Sequence, residues 1–274
     1  MNRKTPKEKL MTYLILFVFA VFFVVPMYLL LSTSLKTFAN VSIQTMWQLP
    51  SEYSFTGFVE AFKELAPNVF NSFYLVIPAT LISAMLGSLN GYVLSHWKFK
   101  GSDTLFALIL FGMFIPYQSV LFPLVQFMQT IGLYGSIPGL ILVHVVYGLP
   151  ITTLMFRNYY KDVPAALTEA AKVDGANIFS IYRYIFFPIS IPSFVVVFIW
   201  QFTNIWNEFL FAVTLTKTQS QPITVALVNL AGSQVVQWNV QMAGALLTAL
   251  PPLIVYILFG KYFIKGMLAG SVKG

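Results

Sequence analysis

Hydrophobic residues run along the chain in five long blocks without a charged side chain, and charged residues gather between the blocks. The blocks are residues 10–31, 65–97, 104–156, 184–207 and 218–260. About 20 apolar residues cross a hydrocarbon core roughly 30 Å thick, so each block can hold a transmembrane helix. Residues 104–156 have room for two helices, with a turn rich in Gly and containing Pro at 132–139. The pattern predicts an all-α polytopic membrane protein with six transmembrane helices, the last over about residues 242–262.

Composition supports this class. Hydrophobic residues make up 58% of the chain and aromatic residues 17%, whereas soluble domains contain roughly 45–50% apolar residues. The chain has no cysteine, which excludes disulfides and thiolate chemistry.

The distribution of Lys and Arg predicts the orientation, because these residues are retained on the cytoplasmic side. With six spans, thirteen of the 16 Lys and Arg fall on one side, and only Lys36, Lys63 and Lys217 fall on the other. Both termini are therefore predicted to be cytoplasmic. The net charge of +7 follows from this asymmetry and gives no reason to expect a nucleic-acid partner.

The segment after the first span, residues 32–66, contains three glutamates and is predicted to form a small extracytoplasmic cap. The first span is too long for the apolar part of a signal peptide and lacks a good cleavage site, so we interpret it as a retained anchor. We predict an anchor helix and cap over residues 1–67 and a transmembrane core over residues 68–274.

One large cytoplasmic loop, at about residues 157–190, interrupts the apolar pattern before the fifth span. Asp162 is a candidate N-cap for a first short helix, which Gly175 can end by adopting a positive φ. Asn177 can cap a second short helix, closed by Pro188.

The second helix of this loop carries three aromatic residues, Phe179, Tyr182 and Tyr184. Exposed aromatic residues on a cytoplasmic loop are typical of a protein-docking surface. The alternative is that they pack against the inner ends of the chain's own spans.

Motifs for chemistry are missing from the sequence. No P-loop pattern for ATP occurs, and the two histidines, His96 and His144, have no metal-ligand spacing to carboxylates. No nucleophile, base or metal set is assembled, so we predict neither catalytic residues nor a bound metal or cofactor. Charged residues are almost absent from the spans, although ion-driven carriers usually keep some there.

Polar residues in the third and fifth spans form a candidate translocation pathway: Tyr117, Gln118, Gln126, Asn204, Asn207 and Glu208. Neutral polar groups beside aromatic rings suit an uncharged, polyhydroxylated solute, and they equally suit hydrogen bonds between helices. Glu208 is expected near the outer end of the fifth helix, where the simpler interpretation is contact with water. For His144, at mid-span, the simpler interpretation is a hydrogen-bonded interior side chain.

The cytoplasmic loop resembles the EAA loop of the inner-membrane permease subunits of binding-protein-dependent ABC importers. The residues that carry the resemblance are Glu169, Ala170, Ala171, Gly175, Ile185 and Pro188, at the family's spacing. Phe187 stands where the family usually has Leu. The stretches "DGA" (174–176), "WNEFLFAVTL" (206–215) and "KGMLAGSVKG" (265–274) are similar to carbohydrate importers, in particular to the second subunit of the maltose-permease type.

The resemblance implies that the loop is a coupling helix seated in a cytoplasmic ABC ATPase dimer, which binds ATP and Mg in place of this chain. The residues implied in that contact are Glu169, Ala170, Ala171, Asp174, Gly175, Ala176, Ile178, Phe179 and Tyr182. It also implies a second, homologous permease subunit in a heterodimer, an extracytoplasmic solute-binding protein, a sugar as substrate, and a bacterial or archaeal cytoplasmic membrane. The last outer loop, residues 219–237, would extend toward the binding protein.

Other functions stay open beside this one. The chain could be a permease for another small solute, or a self-contained secondary carrier whose loop packs on itself. A membrane enzyme has the least support, because no catalytic set is present.

Overall fold

The computed structural model describes residues 5–97, 99–232 and 236–271, with the backbone alone for residues 263–271. Regular structure in this part of the chain is helical. The α-helices are α1 Pro6–Ser34, α2 Thr56–His96, α3 Ser102–Phe111, α4 Tyr117–Thr130, α5 Ile137–Lys161, α6 Ala165–Val173, α7 Ile178–Ile181, α8 Phe187–Ile189, α9 Ile191–Asn207, α10 Leu210–Leu215, α11 Ile223–Ala231 and α12 Trp238–Ser271. A π-helical turn, Tyr182–Phe186, joins α7 to α8.

Four helices of the described chain are each long and apolar enough to cross a membrane: α1, α2, α5 and the part of α12 up to Tyr262. Two helix pairs meet the same criterion only when each pair is taken together. Ser102–Phe114 and Tyr117–Thr130 meet at 96°, and Ile178–Ile189 and Ile191–Asn207 meet at 74°. The described residues therefore provide four to six apolar spans, and six only if each bent pair is one span.

Proline accounts for the first bend. Ile115, which precedes Pro116, has an extended backbone with φ −75° and ψ 115°, because a residue before proline is disfavoured in the helical region. The helix that ends at Phe114 therefore cannot continue directly into α4. The third span, predicted within residues 104–156, therefore consists of two helices if it is one span.

The second predicted span begins earlier in the structure than its charge-free block. Helix α2 begins at Thr56, inside the predicted cap, and is 41 residues long. Its additional first turns contain Glu60, Lys63 and Glu64, whose side chains are exposed. Exposed charges do not stop a helix, so the charge-free block was shorter than the helix itself.

The chain forms two compact units, of which the first contains Met1–Pro67 and Ala226–Leu250. Its small core consists of the buried residues Ala61, Val240 and Ala243. The buried Lys36 donates a hydrogen bond of 2.7 Å from Nζ to the Thr45 carbonyl. Burial lowers the pKa of this lysine because the charged form loses hydration.

The second unit contains Asn68–Val225 and Pro251–Gly274. Its aromatic core includes the buried residues Tyr92, Phe156, Tyr160 and Phe186. Helices α2 and α5 pack closely, since a Cβ added at Gly91 would lie 2.7 Å from the backbone nitrogen of Arg157. Small residues allow such close approach between membrane helices, and here the ends of both helices pack against the loop over residues 157–190.

Some residues used for the predicted orientation lie outside the described residues: Arg3, Lys4, Lys98 and Lys273. In the C-terminal stretch, the side chains of residues 265–271, including Lys265, are not described, and residues 272–274 lie outside the described residues, as do residues 233–235 of the last outer loop.

Candidate coupling loop and intramembrane cavity

A turn at Gly175 shapes the loop over residues 157–190, which was predicted to be cytoplasmic. Gly175 has φ +80°, as predicted, and ends α6. Its N–H donates to the Lys172 carbonyl at 3.0 Å, and the Ala176 N–H donates to the Ala171 carbonyl at 2.9 Å. Together these bonds form the glycine-based helix end that satisfies the last carbonyls of a helix. Only glycine adopts this backbone conformation without steric cost.

Of the two predicted helix caps in the loop, one is confirmed and the other is wrong. The Asn177 side chain accepts a hydrogen bond of 2.9 Å from the Ser180 N–H, which confirms it as the cap of the second helix. Asp162 instead follows the last residue of α5, and Pro164 occupies the N-cap position of α6. The predicted role of Asp162 as an N-cap is therefore wrong.

The predicted end of the second helix at Pro188 is also wrong. Helical backbone continues through the π turn and α8 to Ser190, where the 74° bend lies. Within the π turn, the Phe187 N–H donates to the Tyr182 carbonyl, five residues earlier. Pro188 has no N–H to continue the α-helical pattern, and a π turn is one way for a helix to accommodate this.

The aromatic residues of the loop separate into exposed and buried groups. Phe179 is 64% exposed and Tyr184 72% exposed, whereas Tyr182 is only 5% exposed. The ring of Tyr182 packs in the aromatic core, with its centroid 5.4 Å from that of Tyr92. Its predicted place on the docking face is therefore wrong, and the alternative of packing against the chain's own spans applies to this residue.

The surface of the loop is apolar in part. Val173 is 88% exposed, and Ile178 and Phe179, five and six residues later, are also exposed. For the other predicted contact residues, the structure places Glu169, Ala170, Asp174 and Gly175 at the surface, Ala176 half-buried and Ala171 buried. The loop thus presents apolar and acidic side chains together on its exposed side.

A buried hydrogen-bond network ties the loop to the spans. Ser88 Oγ of α2 lies 2.6 Å from Tyr160 Oη and 2.9 Å from Tyr182 Oη. The Tyr160 hydroxyl also donates to Ser190 Oγ at 3.0 Å. Tyr92 of α2 donates from its hydroxyl to the Ile178 carbonyl at 3.0 Å. Two spans and the loop therefore share one set of buried bonds.

A cavity of about 420 Å³ lies among α5, α9 and their neighbours in the second unit. Four of the predicted pathway residues line it: Tyr117, Asn204, Asn207 and Glu208. Gln118 and Gln126 have exposed side chains on α4 and are not among its lining residues. Its volume lies in the range of small-molecule sites, about 300–1,000 Å³.

Glu208 lies where α9 ends. Its side chain is only 16% exposed, and its carboxylate oxygens accept hydrogen bonds from the N–H groups of Phe211, at 2.8 Å, and Ala212, at 3.2 Å. The expectation of an interfacial glutamate that water can reach stays a prediction, since the side chain is partly exposed and lines the cavity. The carboxylate is held by the backbone at the wall of the cavity.

His144 is the cavity residue that sequence reasoning did not connect to the pathway. Its side chain is interior, as expected, but Nε2 has no hydrogen-bond partner in the described part of the chain. Nε2 lies 3.8 Å from Glu208 Oε2. The sequence feature that could have linked His144 to Glu208 is that both residues are ionisable and lie in otherwise apolar stretches.

The described residues form helices with several apolar spans, a polar cavity among them and a structured loop, which is the architecture of a membrane permease. The family of the binding-protein-dependent transport system inner membrane component matches residues 79–268. The chain belongs to this family and is a multi-pass protein of the cytoplasmic membrane.

Similar proteins agree with this assignment. A probable ABC transporter permease protein of Pyrococcus horikoshii is 44% identical, with 99% of this chain and 100% of that protein covered. The xylose/arabinose import permease protein of Haloferax volcanii is 37% identical, with 93% and 90% covered. In the crystal structure of a bacterial ABC transporter involved in the import of the acidic polysaccharide alginate, one chain matches with a TM-score of 0.81 at 20% identity, covering 96% of this chain and 100% of that chain. At this identity, the structural likeness shows the fold alone.

Proposed function

We propose that the chain is the permease subunit of an ATP-driven ABC importer that moves a sugar or oligosaccharide across the cytoplasmic membrane. A solute-binding protein delivers the sugar from outside. The observation that carries the proposal is the cytoplasmic loop, which exposes Val173 and Phe179 while its other face is hydrogen-bonded to α2 and α5. Such a loop is suited to pass movement of a bound protein into the spans.

The partner on this loop is a dimer of cytoplasmic ABC ATPases, which bind ATP and Mg on chains separate from this one. We add Val173, which is exposed in the structure, to the predicted contact residues. The surface of the loop that contacts the ATPase then consists of Glu169, Ala170, Val173, Asp174, Gly175, Ile178 and Phe179. Ala171, Ala176 and Tyr182 support the loop from behind, since they are buried or half-buried. A hydrophobic centre with a polar rim is the usual make-up of such an interface.

The proposed topology has six spans and two cytoplasmic termini, with each bent helix pair counted as one span. The N-terminal anchor and cap over residues 1–67 and the core over residues 68–274 are part of this proposal. A second, homologous permease completes the pathway as a heterodimer. The resemblance to the second subunit of the maltose-permease type supports this arrangement.

A sugar is the favoured substrate for two reasons. The relative from Haloferax volcanii imports xylose and arabinose, and the cavity is lined by neutral polar and aromatic side chains such as Asn204, Tyr147 and Trp200. Other small solutes are the runner-up within the importer class. A self-contained carrier is disfavoured, because the loop exposes apolar surface that a carrier would not need.

The test is purification of the tagged chain from its native host in a mild detergent, with mass spectrometry of co-purifying proteins and an uptake assay in proteoliposomes. We expect an ABC ATPase and a second permease to co-purify, and uptake to require ATP. The variant Phe179→Asp should no longer co-purify with the ATPase. The control is Tyr53→Asp, which changes a 67% exposed aromatic residue distant from the loop in sequence and should still co-purify with the ATPase. Transport by the chain alone without ATP would refute the proposal.

A further inference from the structure

The cavity contains one buried polar atom whose hydrogen bonding is incomplete. His144 is 6% exposed, lines the cavity, and has no partner for Nε2 among the described residues. An unsatisfied buried polar atom costs about 1–3 kcal/mol, so native structures rarely keep one without a reason. Nε2 itself has almost no accessible surface, so a ligand atom in the cavity would satisfy it after a small rotation of the ring toward the cavity.

The position of Glu208 indicates what kind of atom fits there. The distance of 3.8 Å between His144 Nε2 and Glu208 Oε2 is too long for a direct hydrogen bond. An oxygen placed about 2.8 Å from both atoms can bond to each. An ionised carboxylate only accepts, whereas an imidazole N–H donates. A hydroxyl group can donate to Glu208 and accept from His144 at once.

The surroundings favour a neutral solute over an anion. Among the described residues that line the cavity, Glu208 is the only acidic one, and none is Lys or Arg. A carboxylate without a neighbouring cation repels anionic groups. Tyr117, Tyr147 and Trp200 add flat apolar surfaces, which suit the C–H faces of a sugar ring and complete the usual pattern of a few polar groups in an aromatic pocket.

We propose that His144 and Glu208 together bind one hydroxyl group of a neutral sugar in this cavity, an inference that rests on the permease function proposed above. This subunit then contacts the solute directly and takes part in selecting it. His144 and Glu208 act as a pair because a single hydroxyl can bridge the 3.8 Å between them.

The absence of cysteine from the chain makes a labelling test possible. Thr203→Cys places a single thiol on the cavity wall, and a bound solute should slow its reaction with a maleimide. The probes are D-xylose and D-glucose, with choline as a cation and glucuronate as an anion. The material is the purified complex with its co-isolated subunits. The control is Thr130→Cys, at an exposed position at the end of α4 and outside the cavity lining.

We expect a neutral sugar to protect the thiol at position 203 and to leave the thiol at position 130 unprotected. With His144→Leu, the sugar concentration for half-protection should rise up to about tenfold, as for the loss of one hydrogen bond. His144→Gln keeps a hydrogen-bonding group in nearly the same place and should restore most of the protection. Glu208→Gln should weaken protection, whereas Glu64→Gln, on an exposed residue, should not.

Two outcomes would overturn the inference. Protection by choline alone, lost in Glu208→Gln, would mean that the cavity binds cations. No protection by any probe, in a complex that still takes up sugar with ATP, would mean that the pair does not bind the solute, and the permease function would stand. Failure to bind an ATPase counts against the permease function, whereas loss of sugar protection counts against the His144–Glu208 site. The labelling is therefore repeated on the chain without its partners, so that the two failures are seen separately.

Discussion

Ser88 and Tyr160 are 72 positions apart in the chain, yet their hydroxyl oxygens lie 2.6 Å from each other in the interior. Ser88 also contacts the hydroxyl of Tyr182 in the loop over residues 157–190, at 2.9 Å. One serine oxygen therefore joins α2, α5 and the π turn. Any movement of the loop relative to either span has to stretch or break a bond to this atom.

Tyr160→Phe tests this connection. The variant removes the hydroxyl that bonds to Ser88 and Ser190 while keeping the buried ring. We expect a loss of about 1–2 kcal/mol in the free energy of unfolding, because buried hydrogen bonds contribute about 1 kcal/mol each. Unfolding in mixed micelles measures the loss. Tyr74→Phe, on a 70% exposed residue, is the control and should change nothing; equal stability of the two variants would contradict the network.

Gly175→Val tests the turn of the loop. Valine at φ +80° should cost about 1–2 kcal/mol, although no atom would crowd its Cβ, since nothing lies within 4 Å. Gly132→Val has the same two properties, with φ +71° and open space, but lies between α4 and α5. We expect both variants to insert in the membrane and only Gly175→Val to reduce the co-purified ATPase and the uptake rate. Similar losses in both variants would mean that the turn has no special part in coupling.

Glu169→Lys tests the charge on the exposed side of the loop. Because the Glu169 side chain is at the surface, the free energy of unfolding should change by no more than about 0.5 kcal/mol. The amount of co-purified ATPase and the uptake rate should nevertheless fall. The matched change is Glu64→Lys, also at the surface, which should leave ATPase binding unaffected. An unchanged ATPase yield for Glu169→Lys would remove this residue from the proposed contact.

Gly91→Ala tests the close approach of α2 and α5. The added Cβ would lie 2.7 Å from the Arg157 nitrogen and equally close to the Phe156 Cβ. Such overpacking should cost about 1–3 kcal/mol in the free energy of unfolding. Gly112→Ala has its nearest contact at 3.8 Å, to Pro150, and should be tolerated. If both variants unfold at the same micelle composition, the helices are less tightly packed than described.

Local features of the loop could be predicted from the sequence because they depend on a few neighbouring residues. The positive φ of Gly175 and the cap at Asn177 are properties of glycine and asparagine in short range. The apolar blocks likewise predicted long helices, since the membrane requires them. Features that depend on packing between residues distant in sequence were harder to predict. An example is the buried position of Tyr182, whose hydrogen-bond partner Ser88 is 94 positions away.

The bends and the cavity were missed for related reasons. A charge-free block marks apolar sequence but carries no information about direction, so the 96° bend at Pro116 remained inside one predicted span. The approach of His144 to Glu208 depends on how α5 packs against the end of α9, over 64 positions of sequence. Each residue alone had a simple interpretation, and only the fold brings the two together.

The π turn over Tyr182–Phe186 has a consequence for how the family motif is interpreted. Ile185 lies inside this turn and Pro188 follows it, so the helical stretch from Ile178 to Pro188 includes a wider turn than an α-helix has. An α-helix advances about 100° per residue. A helical wheel drawn for an uninterrupted α-helix from Ile178 would therefore misplace Ile185 and Pro188 relative to Ile178 and Phe179, and the exposed and buried faces of this helix can be assigned only with the π turn included.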